Sequence, residues 1–179
     1  MSNKLMGKVF DRELIDYYYL DLPIDDLIDR LHNLTFKADI SKDYLPFNAQ
    51  VRGYQGAIDS ENCHWIIKKI DDESPFTNRL YELAYYIDFS LQTLAAPSML
   101  IKIDDTYYRG SKVVLKGIQI SGYNYTESPF KRVLANDLIN RWLFFDEDRN
   151  PNNYMVIHNS KQLTLIIAID YNKIDLETT

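Results

Sequence analysis

One cysteine in 179 residues, Cys63, cannot build an internal disulfide framework. Neither Cys-x-x-Cys nor His-x-x-x-His occurs, so the usual zinc-ligand spacings are missing as well. Cys63 stands beside an expected strand, where a buried, inert thiol is the ordinary reading. No apolar run approaches the length of a membrane span, and the first residues lack the apolar core of a signal peptide. Positive charge is in the minority, with 20 Lys and Arg against 26 Asp and Glu. No Lys/Arg cluster of the kind that tracks a phosphate backbone is present, which disfavours direct nucleic-acid binding. Repeats, low-complexity tracts and obvious linkers are absent too. The simplest setting for such a chain is a reducing, cytoplasmic one.

What the sequence does contain is ordinary globular material, 46% apolar and 26% charged, with fourteen tyrosines. The length suffices for one domain or two small lobes sharing a core. Pro23 opens a stretch in which Ile24, Leu27, Ile28, Leu31 and Leu34 recur at helical spacing, with acids in the first turn. This predicts a short amphipathic helix, packed on its own domain or docking a partner. From Phe36 to Ile70 the pattern changes to strands. Gly53 and Gly56 lie three apart, either as turn glycines or as places where backbone amides approach phosphates. Asp59-Ser60-Glu61-Asn62 is a turn-like break, and Trp65 to Ile70 reads as a buried strand. An ammonium buried in that strand is costly unless paired, so Lys68 or Lys69 should face a carboxylate or a phosphate. Alternation lets only one of them do so, and Lys68 is chosen.

Thr77 is the expected N-cap of a helix from Asn78 to Leu94, with Leu80, Leu83, Ala84, Ile87 and Leu91 inward and Glu82 beside that stripe. Three further strand runs are expected, at Met99 to Ile103, Thr106 to Arg109, and Lys112 to Ile120, with turns at Asp104-Asp105 and at Gly110. Ser128-Pro129 marks the start of another helix, with Val133, Leu134, Leu138, Trp142 and Leu143 as its apolar face. That helix leads into the polar loop Asp148-Arg149-Asn150-Pro151-Asn152-Asn153. The apolar, β-branched run Leu163 to Ile169 then delivers Asp170.

Phosphoryl transfer to a hydroxyl needs a carboxylate to orient the acceptor and oxygen ligands to hold Mg²⁺ against nucleotide phosphates. Asp148 and Asn153 have the Asp-x-x-x-x-Asn spacing of a kinase catalytic loop, and Asp170 opens the loop after the next strand. Asp and Asn are also common loop residues, so the reading depends on what precedes them.

The order and residues together resemble the kinase-like superfamily, and within it the HipA-like and phosphatidylinositol-kinase-like branch. Trp65-Ile66-Ile67-Lys68 is similar to the nucleotide-binding lysine strand. Glu82 followed by Leu83 to Asp88 and then Ala96-Pro97 resembles the branch's Glu helix and the proline that ends it. Tyr108 to Val114 resembles the strand leading to the interlobe hinge. Asp148 to Asn153 resembles the Asp-Arg-His-x-x-Asn loop, with Asn150 where the branch often has His. Ile169-Asp170-Tyr171 resembles the metal-binding Asp.

The resemblance covers roughly residues 50 to 175. It implies an α+β, two-lobe fold: an N-terminal lobe over residues 1–116, with an antiparallel sheet and one long helix, and a reduced helical C-terminal lobe over 117–179. It further implies ATP and Mg²⁺ as cofactors, with Asp148 as catalytic base and Asn153 and Asp170 as metal ligands. Lys68 would contact the nucleotide phosphates, braced by Glu82, with Gly53 and Gly56 nearby. Adenine would sit against the segment from Val114, Leu115 and Lys116 to Ile118.

The expected activity is γ-phosphate transfer to Ser/Thr of a protein. Relatives continue with helices beyond the metal-binding Asp, whereas this chain ends nine residues after Asp170. The alternative is therefore a weakly active nucleotide-binding relative acting through a partner chain, of toxin–antitoxin or regulatory type. Outside kinases stands a structural or interaction domain whose aspartates are solvated loop residues. No basic or amphipathic stretch favours a lipid substrate.

Overall fold

A computed structural model describes residues 25–26, 36, 52–70, 75–91, 94–127, 130–143, 150–158 and 164–170. The expected helix after Pro23 lies outside the described residues except for Asp25 and Asp26, which are helical and exposed.

Strands β1 (Tyr54–Ile58) and β2 (His64–Lys69) form an antiparallel hairpin in which Tyr54 stands opposite Lys68 and Ile58 opposite His64. Its turn is the predicted Asp59–Asn62 break. Asn62 takes the left-handed conformation at φ 61°, which asparagine tolerates better than most residues. The Asp59 carboxylate accepts from the Glu61 and Cys63 amides and from Trp65 Nε1, each at 2.9 Å. Helix α1 follows, over Pro75–Ser90. Proline at the first position suits a helix start, because the amide it lacks would have no intrahelical partner. The helix thus begins before the expected cap at Thr77 and ends short of Leu94.

Strands β3 (Ser98–Ile103) and β4 (Thr106–Lys112) complete a four-stranded antiparallel sheet in the order β1-β2-β4-β3. Asp104 turns this second hairpin at φ 51°. Gly110 is not a turn, as expected, but the middle of β4. A Cβ there would lie 2.0 Å from Ile101 Cδ1, so glycine is present because the neighbouring strand's side chain crosses over it. The run after Lys112 is mostly turn: Gly117 N–H donates to the Val114 carbonyl at 3.1 Å, and only β5 (Ile118–Gln119) pairs.

Helix α2 spans Phe130–Leu143, while the expected Ser128-Pro129 start lies outside the described residues. Strand β6 (Tyr154–His158), which the sequence reading did not anticipate, pairs with both β5 and β7 (Thr164–Ala168) in a three-stranded antiparallel sheet. The fold is α+β.

The two sheets share a core. Trp65, Ile67, Met99 and Ile101 from the first sheet join Tyr81, Ala84 and Tyr85 from α1. Tyr154, Val156, Ile166 and Ala168 from the second sheet belong to the same cluster. The alternate residues Leu165 and Ile167 pack with Ala96, Val114 and Ile157. Strand β7 is therefore buried on both faces, which is why it reads as a continuous apolar run. Backbone bonds from Ala96 N–H to the Ala168 carbonyl (2.8 Å) and from Ala168 N–H to the Leu94 carbonyl (2.9 Å) tie the segment after α1 to β7.

Candidate functional site

The β6–β7 hairpin brings two of the expected oxygen ligands to one end. Pro151–Asn153 forms a single 3₁₀ turn, and the Asn150 side chain caps it by accepting from the Asn152 amide at 2.9 Å. This explains asparagine at 150: its short amide reaches the first free N–H of the turn. Asn153, buried, closes the turn through its own N–H to the Asn150 carbonyl at 2.9 Å. Its carbonyl then accepts from Ile169 N–H at 2.9 Å. Tyr154 stands opposite Ala168 and Asn153 lies across from Ile169, so Asp170 follows at the same end of the hairpin. Asp170 is held at φ 62°. Aspartate, like Asn62 and Asp104 at their turns, takes this conformation more readily than most residues.

Asp148 lies outside the described residues. Among the described residues no group of three or more His, Cys, Asp and Glu side chains converges as a metal cluster. Asn153 and Asp170 carry oxygen donors of the type a hard cation takes.

The segment expected to meet a base adjoins this end. Val114 is buried, while Leu115, Met155 and Ile169 form the half-buried rim of its cluster. Lys116 sits at φ 60°, and a Cβ on Gly117 would lie 3.0 Å from Met155 Cε. The turn is thus packed directly on β6, one residue past Tyr154. Ile169, immediately before Asp170, belongs to the same rim.

In the first sheet the expected pair is not joined. Lys68 and Lys69 are both exposed at the end of β2, and Lys68 Nζ lies 5.6 Å from the Tyr54 ring centroid. Glu82 is buried on α1, where its carboxylate accepts from the Tyr86 hydroxyl and from the Leu100 amide at 3.3 Å. It caps the free edge of β3. Strand β4 lies between, with Arg109 opposite both Lys68 and Leu100. Gly53, at φ 76° with nothing within 4 Å of a Cβ, opens β1 over free space, whereas Gly56 is buried opposite Ile66.

The buried lysine of this sheet is Lys112, opposite Trp65. Burial lowers its pKa, and the neighbouring Cys63 and Asp59 oppose that shift. Lys68 and Lys69, being exposed, need no such partner, so the expected pairing on β2 does not arise, and the lysine that is buried lies on β4. The signal was available, since Lys112 stands directly before Val113-Val114.

A second buried polar group also escaped the sequence reading. Arg141 on α2 binds Asp88 of α1 and, at 3.0 Å, Asp137 of its own helix, and Tyr154 of β6 donates its hydroxyl to Asp137. Burial drives the Tyr85 phenol well above its ordinary range, and Asp88 adds to the shift.

No protein-family model matches the chain, and no curated protein matches it.

Proposed function

We propose that the chain is a kinase-like protein of the HipA-like and phosphatidylinositol-kinase-like branch, folded as two lobes, that uses ATP and Mg²⁺ to phosphorylate Ser/Thr of a protein. The observation that carries this reading is that Asn153 and Asp170 come to the same end of the β6–β7 hairpin. The order lysine strand, Glu helix, edge strand, hinge strand and metal hairpin supports it. So does the half-buried apolar rim of Leu115, Met155 and Ile169 beside those ligands.

In this reading the rim holds the base, and Asn153 and Asp170 hold the metal. A metal held there would supply charge neutralisation at the phosphate oxygens. Lys68 reaches the phosphates from β2, and Asp148 accepts the proton of the acceptor hydroxyl as its oxygen attacks the γ-phosphorus. The bond to the β-phosphate oxygen breaks and its electron pair leaves with ADP. Glu82 contributes indirectly, by fixing α1 to β3.

The test pairs calorimetry of Mg²⁺-ATP with transfer of labelled γ-phosphate to the protein itself and to added protein. Asp170→Ala is expected to remove metal-dependent nucleotide affinity while leaving the circular-dichroism spectrum intact. Asp148→Asn is expected to retain binding and lose labelling. Unchanged Mg²⁺-ATP affinity in Asp170→Ala would show that the site lies elsewhere.

A second reading, nucleotide binding without turnover in a module completed by a partner protein, draws on α2. Leu138, Ile139, Trp142 and Leu143 form an exposed apolar stripe there, with Trp142 72% exposed. Misplacement of an acceptor by about 1 Å costs roughly 10²-fold in rate, so a module that needs a partner to hold the acceptor binds ATP yet labels slowly by itself. ATP binding without labelling would favour this second reading.

A further inference from the structure

The chain is acidic overall, with 26 Asp and Glu against 20 Lys and Arg, yet one face of the first sheet collects cations. Lys68 and Arg109 stand directly opposite each other on β2 and β4. Residues opposite one another in an antiparallel pair point to the same face, with Cβ atoms about 5 Å apart, and like charges so placed destabilise the sheet. No carboxylate relieves the conflict: among the described residues neither Lys68, Arg109 nor Arg52 forms an ion pair. Each is held by an aromatic ring instead. Arg109 Cζ lies 4.3 Å from the centroid of Tyr81 on α1, and Arg52 Cζ lies 5.1 Å from that of Tyr54, the ring that also carries Lys68. Ring stacking fixes a guanidinium in place while leaving its N–H fork available to an anion. Glu82 on α1 accepts from Tyr86 and Leu100 instead.

From Arg109 the same face continues through Ser111 toward Val113, where the chain turns into Val114–Gly117. Four strand residues span on the order of 13 Å. That is about the reach of a nucleoside triphosphate from its base to its terminal phosphates. We infer that Arg109 and Lys68 together form the polyphosphate-binding pair of the nucleotide site, Arg109 occupying the place beside Lys68 that the family resemblance gives to Glu82. The inference rests on the nucleotide reading above and adds a residue to it. Arg109 binds the phosphate chain through its fork, and Lys68 acts as a point charge next to it.

The experiment is calorimetry on the full chain with three probes: Mg²⁺-ATP, adenosine, and tripolyphosphate without metal. The variants are Arg109→Gln, Arg109→Lys, Lys68→Gln and, as a control, Lys102→Gln, whose lysine pairs with Asp105 at 3.5 Å. Loss of one charge-assisted contact predicts that Arg109→Gln and Lys68→Gln each weaken Mg²⁺-ATP and tripolyphosphate about tenfold or more. Adenosine affinity should not change, Arg109→Lys should fall between, and Lys102→Gln should match the unaltered protein. Arg109→Lys keeps the charge and the stem, so it reports even if the Gln variant fails to fold.

Mg²⁺-ATP binding that ignores Arg109→Gln overturns the inference and leaves the nucleotide reading standing. Equal losses in Lys102→Gln overturn it as well, because general charge would then explain the data. Tripolyphosphate binding that depends on Arg109 and Lys68, without any gain from adenosine, supports the pair and removes the nucleotide reading. Absence of binding to all three probes overturns both.

Discussion

Gly110 illustrates how a single missing Cβ sets a local structure. It lies in β4 between Ile67 and Met99, and the Ile101 side chain fills the space above it. Gly110→Ala is expected to destabilise the protein by about 1–3 kcal/mol through overpacking. Adding Ile101→Val, which removes the Cδ1 atom in conflict, should recover much of that loss. Urea midpoints of the two single variants and the double variant close the cycle, and strict additivity would show that the two residues do not meet.

The sequence reading took Gly110 for a turn because glycine between polar neighbours usually marks one. Nothing local shows that a partner strand will pass over it. Asp59 is the opposite case. A short acid at the head of a turn bonds its own following amides, so the break at Asp59–Asn62 was readable from four residues. The strand before Asp170 was readable too, from its continuous apolar, β-branched run. Arg109 was not, because its proximity to Lys68 arises from strand pairing across 41 residues.

Helix α2 turns the C-terminal part of its expected face outward. The apolar spacing placed Leu138, Trp142 and Leu143 inward with Val133 and Leu134. Instead Val133 and Leu134 pack on the core, while Asp137 and Arg141 continue the same inward face. These inward positions, 133, 134, 137 and 141, have helical periodicity. Hydrophobicity failed as a guide because the lower half of the face is an ion network, with Asp88 supplied from a helix 53 residues away in sequence. In α1 the same contact explains why Asp88 is buried, whereas Leu83 in that helix and Leu91 just after it, both expected inward, are exposed.

Removing the cation would strand two buried carboxylates. Arg141→Met is therefore expected to cost about 3–5 kcal/mol, more than the loss of any exposed pair in this chain. Thermal melts against Lys102→Gln, which breaks the exposed Lys102–Asp105 pair, would check the contrast. Equal shifts in the two variants would show that the Arg141 network contributes nothing special.

At the scale of the molecule, the first sheet comes from residues 54–112 and the second from 118–168, but their apolar faces meet in one cluster. The Leu94–Ala168–Ala96 ladder and the Arg141 network cross the same boundary. A shared core and shared hydrogen bonds make separate melting of the halves unfavourable. Far-UV circular dichroism and tryptophan fluorescence should give coincident urea transitions, whereas two resolved steps would mean that the sheets fold independently. The antiparallel sheet with a helix between its strands was legible from alternation and turn residues. The second sheet was only half legible, because β6 is five residues long and the turn of Asn150 to Asn153 before it also fits a loop that needs no strand after it.

The two tryptophans occupy opposite extremes of environment, and this gives the chain a built-in pair of optical reporters. Trp65 is 1% exposed in the first sheet, with its indole N–H bound to Asp59, while Trp142 stands in solvent on α2. Emission should therefore separate into a blue-shifted component that iodide cannot reach and a red-shifted one that it quenches freely. Any protein that settles on α2 would shield the second component alone, and a nucleotide arriving at the first sheet would leave it untouched.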